Sequence, residues 1–124
     1  MLGDHDVAAT LAVTDIDAAR SFYEGTLGLK PVMEVPDSVV YSAGKSRVMV
    51  YRSDFAGTNR ATGATWAVGD ELASIVHDLG TQGVSFEHYD LPDTTREGDI
   101  HEMGGMRGVW LKDPDGNIIG LVNQ

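Results

Sequence analysis

The 124-residue chain has no cysteine. That excludes disulfides, thiolate nucleophiles and cysteine-ligated metals, and it leaves the redox compartment unread. Basic residues are scarce, with nine Lys and Arg against nineteen Asp and Glu and a formal net charge of −10. A surface of that sign repels phosphate backbones and anionic bilayers, so neither nucleic acid nor a membrane is expected as a partner. No apolar run approaches the roughly 20 residues of a membrane span. The opening Met1-Leu2-Gly3-Asp4-His5-Asp6 has neither the basic nor the apolar part of a leader. Phosphate loops, dinucleotide fingerprints and nucleophile motifs are missing as well. The expectation is a single cytoplasmic domain, long enough to bury its own core.

What is present is a pattern that runs twice. Val7 to Val13 is a short apolar run of strand character, and Asp15 follows as a helix N-cap. Ile16, Ala19, Tyr23 and Leu27 then recur at helical spacing, with Phe22 broadening the stripe and Gly28 placed to end the helix at positive φ. Leu29 to Val35, with Pro31 early and Pro36 late, suits an edge strand. Ser38 to Ser42 and Arg47 to Arg52 read as a hairpin around Ala43-Gly44-Lys45. Residues 53 to 62 are small and polar, a linker. The order then restarts: Gly63 to Val68 as a strand, Asp70 as an N-cap, and Leu72, Ile75, Val76 and Leu79 as a helical stripe closed by Gly80 or Gly83. Val84 to Tyr89 is expected to be a strand. Arg107 to Leu111 and Ile118 to Val122 form a terminal hairpin around Asp113-Pro114-Asp115-Gly116-Asn117. Asp15 to Gly28 and Asp70 to Gly83 both span 13 positions, while Asp15 to Pro36 and Asp70 to Pro92 span 21 and 22. An internal duplication of a β-α-β-β-β unit accounts for this. Module one covers about 5–52 and module two about 63–124 of a single domain.

Two segments carry a resemblance. Asp15-Ile-Asp-Ala-Ala-Arg-Ser-Phe-Tyr-Glu-Gly-Thr-Leu-Gly-Leu29 resembles the entry segment of the vicinal oxygen chelate superfamily, and Lys112-Asp-Pro-Asp-Gly-Asn-Ile-Ile119 resembles its terminal signature. The group includes glyoxalase I, bleomycin-resistance proteins, fosfomycin-resistance enzymes and extradiol dioxygenases. The resemblance spans nearly the whole chain and implies an α+β fold. Two tandem β-α-β-β-β modules would curl into a concave half-barrel, usually in a homodimer.

In the enzymatic members a divalent metal sits on that concave sheet, held by His and Glu side chains. Carried onto this chain, the ligand positions fall at Ala8, near Tyr51, at Gly63 and at Gly120. None is a usual divalent-metal ligand. The resemblance therefore implies a member without the usual metal site, and no cofactor is expected. Of the four histidines, His5 reads as terminal and solvated, and His77 lies off the apolar stripe of its helix. Glu87 and His88 are neighbours on an expected strand and so point to opposite faces. His101 and Glu102 are the remaining weak candidates for catalysis or for a non-standard metal site. They lie in a long polar segment, 93–106, read either as a lid whose Met103 and Met106 line the pocket or as a surface excursion.

Strand alternation puts Ala8, Thr10 and Ala12 on the concave side and Leu11 and Val13 against the helix. It puts Thr65 and Ala67 in the cup and Trp66 beneath the second helix. The expected ligand-binding pocket comprises Thr10, Ala12, Tyr51, Thr65, Ala67, Met103, Arg107, Trp110 and Gly120. Small side chains leave it roomy and aromatic walls suit stacking. Arg107 or Arg52 could meet an acidic group, or be solvated surface. Two readings follow. One is a metal-independent protein that binds a small organic molecule. The other is a lyase or dioxygenase using a metal or acid–base site on segment 93–106.

Overall fold

The computed structural model describes residues 1–124. After a single turn at Leu2–Asp4, strand β1 (Ala8–Val13) leads into helix α1 (Ile16–Arg20). Asp15 caps it as expected, its carboxylate accepting from the N–H groups of Asp17 and Ala18. The helix then widens into a π-helical stretch over Ser21–Thr26. The wider turn lets neighbouring Phe22 and Tyr23 both face the sheet, their rings meeting edge-on at 5.2 Å. Gly28 ends it at φ +76°. Strands β2 (Lys30–Val35), β3 (Ser38–Ala43) and β4 (Ser46–Arg52) follow, giving a sheet ordered β1-β4-β3-β2 with β1 parallel to β4. Proline-bearing β2 takes the edge.

The second unit repeats the plan with one strand more. Strand β5 (Thr62–Ala67) precedes helix α2 (Leu72–Thr81), and β6 (Thr95–Glu97), β7 (Ile100–Met103), β8 (Met106–Lys112) and β9 (Ile118–Val122) follow. The sheet order is β5-β9-β8-β7-β6, with β5 parallel to β9. This is the expected α+β architecture of two sheets and two helices.

Three local expectations need correction. Asp70 is not a cap: the chain enters α2 through a 3-10 turn, Gly69–Glu71, which starts at positive φ and places Asp70 within it. Val84 to Tyr89 is not a strand. Only Phe86 forms a bridge, to Leu111, and Glu87 N–H donates to the Trp110 carbonyl, because β7 already takes most of that edge of β8. Segment 93–106 is not a loop, since β6 and β7 pair within it and β7 pairs onward with β8. Its glycines serve the turns: Gly98 between β6 and β7, and Gly104 and Gly105 between β7 and β8, all at positive φ.

Alternation sorts the sheets as the sequence implies. Leu11, Val13, Val48, Val50, Val39 and Tyr41 are buried against α1. Leu121, Ile119, Val109 and Leu111 are buried with Leu72 and Leu79 of α2. The modules meet along β1 and β5, closely enough that a Cβ on Gly63 would stand 2.8 Å from the Leu11 side chain. Asn117 bridges them at one end of that seam, its side-chain amide donating to the Ala12 carbonyl at 2.7 Å. No helix is long and apolar enough to cross a membrane.

Candidate functional site

Each sheet has a face turned away from its helix. On the first, pairing aligns Thr10 with Met49 and Ala12 with Tyr51. Thr10, Ala12, Tyr51 and Gly63 line a cleft of about 210 Å³ that also takes in Phe55, from the linker. On the second, Thr65 pairs with Gly120 and Gly120 with Trp110, so three expected pocket residues stand in one row. Gly120 is buried, and a Cβ there would meet Thr65 Oγ1 at 3.3 Å and Trp110 Nε1 at 3.5 Å. Two polar side-chain atoms thus converge where this strand has no side chain. Trp66 packs on the other face, with Leu27, Leu29, Ile75 and Leu79 around it.

The structure does not gather all nine expected pocket residues. Thr65 and Ala67 line a separate cavity of about 600 Å³ at the seam, away from Tyr51. Met103 shares the face of Trp110 but sits at the tip of the β7–β8 hairpin, opposite Met106. Arg107 pairs with Glu102 and alternates with Gly108 and Trp110, so it leaves the sheet on the opposite face.

His101 and Glu102 part company for the same reason. Both lie on β7; His101 is 2% exposed while Glu102 is exposed. One ion cannot be held by both. Instead, His101 Nε2 accepts from the Tyr89 N–H at 3.0 Å, and its ring meets Trp110 edge-on at 4.9 Å. Tyr89 completes this cluster, with its ring 5.3 Å from Trp110. His101 Nδ1 and Tyr89 Oη are buried with no partner, and burial pushes the Tyr89 hydroxyl above its ordinary pKa. His88 pairs with Asp99 at 2.7 Å, while His5 and His77 are exposed.

The metal that the resemblance implies can be tested against these donors. Ala8, Gly63 and Gly120 carry no ligating side chain, and Tyr51 is the only hydroxyl among the four positions. No three His, Cys, Asp or Glu side chains converge anywhere on a common point. The residues present do not fit a divalent metal, which ordinarily takes three or more protein ligands.

Sequence reasoning missed Tyr89, Phe55 and the cavity at the seam. Tyr89 gains its place from the packing of a segment with almost no pairing of its own, and Phe55 lies in a segment whose small, polar neighbours read as a linker. No spacing signal marks either.

Comparison with known proteins places these features. A search of curated protein sequences returns no match to this chain. Among solved structures, a bleomycin resistance determinant encoded on the transposon Tn5 superposes with a TM-score of 0.74 at 19% identity, covering 97% of this chain and 98% of that one. A lactoylglutathione lyase from Agrobacterium tumefaciens gives 0.71 at 20% identity, covering 95% and 92%. An integron cassette protein from the Halifax Harbour sewage outfall gives 0.72 at 13%, covering 97% and 98%. At such identities these likenesses speak for the fold alone. The family model for the glyoxalase/bleomycin resistance protein/dioxygenase superfamily matches residues 7–121; the chain belongs to that superfamily.

Proposed function

We propose that the protein is a metal-independent binder of a small organic molecule, held on the open face of its sheets. The observation that carries this reading is Gly120. The last-strand position that resemblance assigns to an acidic metal ligand has no side chain here, and Thr65 Oγ1 and Trp110 Nε1 close over it, 3.3 and 3.5 Å from where a Cβ would stand. An indole N–H and a hydroxyl suit a carbonyl, ether or carboxylate oxygen of an organic ligand. The Trp110 ring offers the apolar wall beside it.

The reading supports a homodimer, with the protein acting in the cytoplasm. Met33, Val35, Tyr51 and Phe55 are all exposed, the first two on the open edge of sheet one. A two-fold partner would cover such a surface. Light scattering coupled to size exclusion is expected to give twice the chain mass at micromolar concentration. A clean monomer would remove that part of the proposal.

Metal content and ligand binding test the main claim. Plasma mass spectrometry on untagged protein never exposed to chelator should find less than about a tenth of an equivalent of any transition metal, before and after incubation with Zn, Ni or Mn. Thermal-shift screening of planar aromatic compounds should give a stabilising hit, lost in Trp110→Ala. Near one equivalent of bound metal would overturn the reading.

A further inference from the structure

We infer that the ligand is an amphipathic organic anion, and that the cavity at the open end of the β1–β5 seam receives its acidic group. The inference deepens the binding reading above and rests on it.

The duplication says why this cavity exists. Strands β1 and β4 are parallel in module one, as are β5 and β9 in module two. The β8–β9 turn therefore corresponds to the β3–β4 turn. The former closes its end of the seam: Asn117 donates to the Ala12 carbonyl, and Asp115 accepts from the N–H and hydroxyl of Thr14. The latter has only Gly44 and Lys45 between its strands, and no side chain from it is hydrogen-bonded across to β5. A space of about 600 Å³ opens there instead, within the range of small-molecule sites.

Its lining is unlike the rest of this surface. The chain has nineteen acidic residues to nine basic ones, yet Lys45 and Arg47 line the cavity and no Asp or Glu does. Neither cation takes part in an ion pair; Arg47 donates only to the Ser46 carbonyl. Asp6 is the acid at hand, on the smaller neighbouring cleft that shares both cations. Val7, Ala9 and Ala64 supply an apolar wall, with Thr65, Trp66 and Ala67 completing the lining along β5. Two unpaired cations beside an apolar wall, in a protein of −10 net charge, favour a ligand with one anionic group and a hydrophobic body.

Calorimetry with 1-naphthoate and its uncharged analogue 1-naphthamide tests this on the whole protein. The anion is expected to bind at one site per chain, about tenfold or more tighter than the amide. Lys45→Gln/Arg47→Gln should erase that preference, bringing the affinity for the anion down to that for the amide. Ala67→Trp, which fills the cavity from an exposed position, should remove binding of both, with far-UV circular dichroism confirming the fold. Equal affinity for anion and amide, or naphthoate binding insensitive to the two cations, would overturn the inference. If both probes bind, Ala67→Trp has no effect and Trp110→Ala abolishes binding, the seam is not the site. The open-face reading then stands without it. If naphthoate does not bind at millimolar concentration, the anion inference fails, and the metal and thermal-shift measurements decide the broader reading separately.

Discussion

The Tyr23 hydroxyl donates to Asp113 Oδ2 at 2.7 Å across ninety positions of sequence, and both side chains are buried. Asp113 also accepts from the N–H groups of Asp115 and Asn117 and from the Asn117 side chain. The terminal turn is thereby joined to the first helix. The two segments that carry the family resemblance are in contact, each satisfying the other's buried polar groups.

Tyr23→Phe leaves the buried carboxylate one donor short. The expected cost is about 2 kcal/mol, as for a hydrogen bond to a charged group, read as a lower urea midpoint with unchanged slope. Alkaline pH separates this from simple packing loss. Burial, then the negative Asp113, pushes the Tyr23 hydroxyl far above its ordinary value of 10.0. The native state keeps that proton while the unfolded chain releases it near pH 10, so the contribution is full below pH 10 and is lost as pH rises beyond it. Each such tyrosine adds a slope of up to about 1.4 kcal/mol per pH unit. Tyr23→Phe should show one proton's less slope than the parent above pH 10.

Asn117→Ala removes donors to both Ala12 O and Asp113 Oδ2. A loss of about 2–3 kcal/mol is expected, since a buried carbonyl and a carboxylate each lose a partner. Combined with Tyr23→Phe, the double variant should depart from additivity by about 0.5 kcal/mol or more, because both donors share Oδ2. Additive losses would show that the two contacts act independently.

Two glycines at positive φ should respond differently to alanine. Gly44, at φ +58°, has nothing within 4 Å of a new Cβ, so only the backbone penalty of about 1–2 kcal/mol applies. Gly57, at φ +78°, would bring its Cβ within 2.7 Å of the Asp115 carbonyl oxygen. Backbone cannot move aside as a side chain can. Thermal unfolding should place Gly57→Ala well below Gly44→Ala, by roughly the same amount again.

His101→Phe keeps a ring against Trp110 and leaves the Tyr89 N–H without its acceptor. The expected loss is about 1–3 kcal/mol, with a changed Trp emission. Glu102→Ala, exposed on the other face, should stay within about 0.5 kcal/mol. Equal losses from the two would restore a joint role for the pair.

Local chemistry and periodicity determined much of this protein in advance. The Asp15 cap, the positive φ of Gly28, the edge place of proline-bearing β2, the burial of Leu11 and Val13 and the terminal hairpin all follow from neighbours within a few residues. So does the repeat, because duplicated spacing is a property of the chain. The resemblance of two segments pointed to the superfamily for the same reason.

Only the tertiary structure decided what those elements meet. Val84 to Tyr89 has strand composition but almost no ladder, because pairing depends on which edge β7 leaves free. Asp70 sits inside a turn because the path between β5 and α2 required one. Segment 93–106 looked like a loop because its polar, glycine-bearing composition hides two short strands, and that pairing sends His101 and Glu102 to opposite faces. Trp110, Gly120 and Thr65 form one row through cross-strand register, which no local signal encodes. The open end of the seam depends on comparing two turns in space. Local residues set each element's shape; long-range pairing set which chemistry came together.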